Sequence, residues 1–164
     1  REHFLEIIKK LREVRPDIAL STDIIVGFPG ETEKDFQQTY DLIKEVGYTQ
    51  VFTFIYSKRE GTPAARMEDD TPREVIQERF ERLVDLVQER ALEVNQVEVG
   101  KVIPVLVEGV SKRDETVLMG RSPKNLTVHA PIPEGVSIED LQGTIINVRV
   151  DFARAWYLRG QVVS

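Results

Sequence analysis

TDIIVGFPGET, residues 22–32, governs the reading of the chain. An apolar run of Ile24, Ile25 and Val26 stops at Gly27-Phe28-Pro29-Gly30, and an amphipathic segment begins directly after Glu31-Thr32. A β-branched run cut by a glycine–proline turn and followed by a helix cap reads as a buried strand, a tight turn and a helix. Residues 51–63, VFTFIYSKREGTP, follow the same plan, with a strand over 50–56 and then a polar loop shaped by Gly61 and Pro63. If the two strands are parallel, both loops emerge at one end of the sheet, the end where α/β proteins bind ligands.

Working outward, Phe4, Leu5, Ile7, Ile8 and Leu11 recur at helical spacing over 2–14, and Arg15-Pro16-Asp17 ends that helix. The first strand is expected over 18–26. Thr32 followed by Asp35 is an N-cap approximating a capping box, and Phe36, Leu42, Ile43 and Val46 supply the buried face of a helix that Gly47 ends. The strand over 50–56 is apolar on both faces, which predicts burial on both sides. Thr71-Pro72-Arg73-Glu74 opens a long helix running to about Asn95 with an apolar stripe of Val75, Ile76, Phe80, Leu83, Val84, Leu86, Val87 and Leu92. Its opposite, charged face requires nothing beyond solvation.

From residue 97 the texture changes. Short apolar runs alternate with turns: Val102–Val107, Thr116–Met119, Leu126–His129, Thr144–Val150 and Trp156–Leu158. Five short strands in this length predict a small barrel, since closure removes edges. The boundary is expected near 95–99, giving an α/β part over 1–96 and an all-β part over 97–164. Trp156 and Tyr157 are adjacent, so on a strand they face opposite ways, and one of them is expected to pack the core.

Composition excludes several classes. The chain has no cysteine, so it holds no disulfide and no thiolate-bound zinc or iron–sulfur cluster. Its two histidines, His3 and His129, read as solvated or hydrogen-bonded rather than as metal ligands. A hydrophobic content of 41% suits a globular protein, and no apolar run approaches the ~18 residues of a membrane span. There is no initiator Met and no signal-peptide pattern, and the chain opens on a helix with no strand before it; a piece of a longer protein is expected. The net charge of −6 lies entirely in residues 1–96, because from residue 97 onward eight basic side chains balance eight acidic ones. The C-terminal part can therefore present a local basic face.

Chemistry read from the residues alone is limited. Gly27 and Gly30 allow backbone N–H groups to approach a ligand, and the next helix N-terminus favours an anion; plain turn geometry accounts equally for the same residues. Tyr56 ends its strand, where it can stack on or hydrogen-bond a ligand, and Lys58 and Arg59 can pair with phosphate or carboxylate. No catalytic triad, carboxylate pair or P-loop is present, so the residues name no reaction and no catalytic residue. Ser111-Lys112-Arg113 and Gly120-Arg121-Ser122-Pro123-Lys124-Asn125 place basic side chains in loops of the expected barrel beside aromatics such as Trp156. Small RNA-binding barrels work in this way, and generic β-barrel packing accounts for the same residues.

Taken in order, TDIIVGFPGETEKDF (22–36), FTFIYSKREGTPAARM (52–67), Thr71-Pro72-Arg73-Glu74, VLVEGVSK (105–112), LMGRSPKN (118–125) and Leu158-Arg159-Gly160 resemble the C-terminal part of a radical-SAM methylthiotransferase of the MiaB type. The resemblance covers essentially the whole chain. It implies the last βα units of a partial (βα) radical-SAM barrel followed by a five-stranded TRAM β-barrel. It implies an enzyme that methylthiolates isopentenylated adenosine beside the tRNA anticodon, using S-adenosylmethionine and two [4Fe–4S] clusters. By similarity Ile25, Gly27 and Tyr56 would flank the cofactor, and Lys112, Arg121, Lys124 and Asn125 would contact the tRNA anticodon stem-loop.

With no cysteine the chain lacks the cluster ligands, which the resemblance places upstream in a missing N-terminal half. The chain alone is therefore expected to be inactive, and a partial barrel would expose an edge and an apolar wall prone to self-association. A cytoplasmic location without membrane partners is implied. Two alternatives remain open: a methylthiotransferase acting on a ribosomal-protein aspartate, and a free-standing RNA-binding protein whose α/β half is scaffold.

Overall fold

The structure, a computed structural model, describes residues 1–68 and 71–163. Asp69, Asp70 and Ser164, which the sequence reading included in its two parts, lie outside the described residues. The chain divides into two compact units, Arg1–Arg90 and Ala91–Ser164.

In the first unit, helix α1 (Glu2–Val14) precedes strand β1 (Ser21–Val26), helix α2 (Glu33–Val46) and strand β2 (Gln50–Ile55). Helix α3 runs from Arg73 to Gln96. β1 and β2 pair in parallel, in register from Ser21 opposite Gln50 to Val26 opposite Ile55. A parallel pair requires a crossover, and α2 is that crossover. It starts as the sequence predicts: the Thr32 hydroxyl accepts from the Asp35 amide, the Asp35 carboxylate accepts from the Thr32 amide, and the Gly47 amide closes the last turn on the Ile43 carbonyl.

Ile8, Val26, Phe36, Ile43, Val46, Val51, Leu83, Leu86 and Val87 form the core, drawing on all three helices and one face of the strand pair. The other face is open. Phe52 and Phe54 are 50% and 51% exposed, and their register partners Asp23 and Ile25 are exposed beside them. The expected burial of the second strand on both sides is thus corrected. Alternate side chains point to opposite faces, and the described elements of this unit pack on the Val26 and Val51 side.

In the second unit, β3 (Val102–Ser111), β4 (Asp114–Arg121), β5 (Thr127–Pro131), β6 (Ile145–Ala153) and β7 (Tyr157–Val163) form a mixed five-stranded sheet. Its hydrogen bonding runs β3-β4-β5-β7-β6 and returns from β6 to β3. All pairs are antiparallel except β5 with β7. Val105, Val107, Leu118, Leu126, Val128, Ala130, Val148, Val150 and Leu158 fill the interior. A one-turn helix, α4 (Ile138–Leu141), packs Ile138 and Leu141 against that core, an element that the sequence reading did not include. Gly120 and Gly160 sit where strands approach closely: a Cβ on Gly160 would collide with the Arg149 carbonyl, and one on Gly120 with that of Leu106.

Candidate functional site

The glycine loop is built by its own helix. Gly27 is buried at φ +74°, and a Cβ there would lie 2.7 Å from the Ile76 side chain of α3, so any side chain there would be strained and would displace Ile76. Its amide donates to the Glu31 carboxylate at 2.7 Å. Arg79 of α3, nearly fully buried, fixes that arrangement: its guanidinium donates to the Glu31 carbonyl at 3.0 Å and to the Glu33 carboxylate at 2.9 Å. Arg82 adds a 2.9 Å bond to Glu33 and covers the Phe36 ring. Hydrogen bonds from Arg82 and Arg79 hold the Glu33 carboxyl below its ordinary value. The charged face of α3 was expected only to be solvated; instead it pins the loop and the start of α2. A pairing some 46 residues apart leaves no local sequence signal.

Ile25 lies on the open face of the strand pair, one residue before buried Val26. Tyr56 follows β2, its amide donating to the Val26 carbonyl at 2.8 Å and its ring meeting Phe28 edge-on at 5.3 Å. The Tyr56 hydroxyl is buried and has no hydrogen-bond partner among the described residues. Ile25, Gly27 and Tyr56 therefore gather at one end of the two strands.

The four basic-loop candidates separate. Lys112 lies in the β3–β4 turn. Arg121 ends β4, with its guanidinium 3.4 Å from Glu108 and 3.3 Å from the Asn125 carbonyl. Lys124 donates at 2.8 Å to buried Glu98, which also accepts from Lys101 at 3.2 Å. Asn125 turns the chain at φ 59°, a left-handed conformation that Asn tolerates.

A second cluster surrounds Lys112. Residues Ser111–Asp114, Val117, Met119, His129, Tyr157 and Arg159 line an open groove of about 480 Å³. Strand register explains the cluster: Met119 is opposite His129, His129 opposite Arg159, and Arg159 opposite Phe152. Their neighbours Leu118, Val128 and Leu158 point into the core, so this row points outward. His129 and Tyr157 meet edge to face at 5.5 Å, and partial burial lowers the His129 pKa, keeping the imidazole neutral near pH 7. Arg154 and Arg159 both lie about 5 Å from the Phe152 ring, at 5.1 and 5.0 Å. Neither Trp156 nor Tyr157 packs the core. Trp156 precedes β7 in a bend and is 53% exposed, while Leu158 takes the inward position. Buried Asn95 fixes that bend by donating to the Arg154 and Ala155 carbonyls at 2.8 and 3.0 Å.

Residues 96–163 match the family model of the TRAM domain. Along its whole length the chain is 48% identical to a protein of Alkaliphilus oremlandii named tRNA-2-methylthio-N(6)-dimethylallyladenosine synthase, of which it covers 34%. Synthases of the same name from Acetivibrio thermocellus and Geobacillus kaustophilus are 45% and 48% identical over 99% and 100% of the chain, which covers 33% and 30% of them. Over its whole length the chain is thus similar to the C-terminal part of these methylthiotransferases. It spans about a third of the length of these relatives. Among the described residues, no group of His, Asp and Glu side chains could hold a metal ion, and no helix is long and apolar enough to cross a membrane. The methylthiotransferase reading explains the motif order seen in the sequence. Arg113, His129, Tyr157 and Arg159 were not among the candidates, although Leu158-Arg159-Gly160 was part of the resemblance.

Proposed function

We propose that this chain is the RNA-holding and wall-forming part of a cytoplasmic tRNA methylthiotransferase acting on isopentenylated adenosine beside the anticodon. Residues 97–164 form the TRAM β-barrel that holds the tRNA anticodon stem-loop. Residues 1–96 are the last βα units of a radical-SAM barrel. The observation that carries this reading is the outward row of cationic and aromatic side chains in the unit that matches the TRAM model. Phosphates bind such cations, and unpaired bases stack on such rings.

The N-terminal unit supports a nucleoside beside it. An apolar strand face carrying Ile25, Phe52 and Phe54, the close-approach Gly27 and the unpartnered Tyr56 hydroxyl fit the adenosine of S-adenosylmethionine. When bound, S-adenosylmethionine supplies the radical source and the methyl group of this chemistry. Ile25 would pack the ring, Gly27 would let the backbone approach, and Tyr56 would offer its hydroxyl. The two [4Fe–4S] clusters do not fit this chain, which has no cysteine; their ligands belong to the remainder of the polypeptide.

Anisotropy titration of an isopentenylated anticodon stem-loop with this chain, at low and raised salt, tests the reading. Binding that weakens steeply with salt is expected. Absence of binding would overturn the RNA-holding role and favour the ribosomal-protein branch.

A further inference from the structure

We infer that the groove formed by the β3–β4 turn and the outer faces of β4, β5 and β7 seats one unpaired nucleotide of single-stranded RNA. Its base rests against Tyr157 and His129, and its flanking phosphates meet Lys112, Arg113 and Arg159. The inference rests on the RNA-holding reading above and adds a site and a strandedness to it.

Three observations converge. The groove volume of about 480 Å³ is in the range of sites that take a single small ligand. Its wall is aromatic where its rim is cationic. Tyr157 and His129 are held edge to face by strand register, with Met119 as an apolar neighbour on the same row, so the rings are positioned before any ligand arrives. The cations are available: Lys112 and Arg113 hold no ion pair among the described residues, and Arg159 has only a distant 3.8 Å contact with Asp151 while lying over Phe152. The acid in the lining, Asp114, is turned to its own strand, accepting from the Thr116 amide and hydroxyl at 2.9 and 2.7 Å. A base can reach Tyr157 only when it is unstacked from its neighbours, which selects loops and single strands over duplex.

The test titrates the whole chain with a labelled oligouridylate and with a blunt RNA duplex of equal length, following anisotropy and the fluorescence of Trp156, the chain's single tryptophan. The single strand is expected to bind more tightly than the duplex and to change the Trp156 emission. Tyr157→Ala should weaken single-strand binding roughly tenfold, and Tyr157→Phe should retain it. Arg159→Gln should lower the slope of log K against log salt by roughly 0.7, the loss of about one phosphate contact. Melting curves establish that each variant is folded, and a double Lys112→Ala/Arg113→Ala variant repeats the salt test away from the strands. If the wild-type chain binds RNA but these variants bind equally well with unchanged slopes, the seat lies elsewhere while the RNA-holding role stands. Equal binding of duplex and single strand overturns the seat as well. No binding of either RNA overturns both.

Discussion

Glu98 illustrates how one residue can hold a fold and redirect a cation. It is buried in the C-terminal unit, with one carboxylate oxygen shared by Lys124 at 2.8 Å and Lys101 at 3.2 Å. Burial alone would raise its pKa; the two lysines outweigh burial and hold it below the ordinary 4.5. A carboxyl with a depressed folded-state pKa contributes stability above its unfolded value and loses it as pH falls through the folded one. Acid unfolding of this unit should therefore include a component below about pH 4.5 that Glu98→Gln removes, read by circular dichroism against pH. At neutral pH the same change should destabilise by about 1–3 kcal/mol, because both ammonium groups lose their partner; a component unchanged by Glu98→Gln would refute the role. Lys124 read from the sequence as a free loop cation because its partner lies 26 residues away. Asn125 was read as an RNA contact in a loop; its role as the left-handed residue that turns the chain emerges only from the backbone, at φ 59°.

At the scale of elements, the close-packed glycines of the C-terminal sheet carry the sharpest expectation. The Gly160 position faces the Arg149 carbonyl across the β6–β7 pair, on backbone that a side chain cannot push aside. Gly160→Ala should cost about 1–3 kcal/mol in chemical denaturation, whereas Gly135→Ala, with open space around its Cβ position, should be limited to the strain of its positive φ. Equal losses would show that β6 and β7 separate readily. The strands themselves were legible from their alternation, and Thr32 and Gly47 marked both ends of α2. Trp156 was harder. Alternation assigns one of two adjacent aromatics inward only if both lie on a strand, and Asn95 holds the preceding residues in a bend instead. The burial of the second strand misled for a related reason: Phe52 and Phe54 look like core residues, and apolarity cannot reveal which face a sheet leaves open. α4 is too short for periodicity to signal it.

At the scale of the whole molecule, two surfaces of different character matter. The open strand face of the N-terminal unit leaves Ile25, Phe52 and Phe54 exposed, with Phe28 exposed in the adjoining loop, an apolar patch of the kind that drives association. Sedimentation velocity should show concentration-dependent self-association that a Phe52→Asp/Phe54→Asp pair abolishes; a concentration-independent monomer would contradict this. The outer face of the C-terminal sheet is instead cationic and aromatic. The sequence exposed this surface as charge balance and as the Ser111-Lys112-Arg113 loop with Lys112 a candidate, but not His129, Tyr157 and Arg159, because strand register brings these to Lys112 from distant positions.

The most direct test of the account is photo-crosslinking of an isopentenylated anticodon stem-loop to this chain, with the attached peptides mapped by mass spectrometry. The account predicts crosslinks in the β3–β4 turn and along β5 and β7, centred on Lys112, His129 and Tyr157. Crosslinks confined to the outer surfaces of α1 and α2, or none at all, would contradict it.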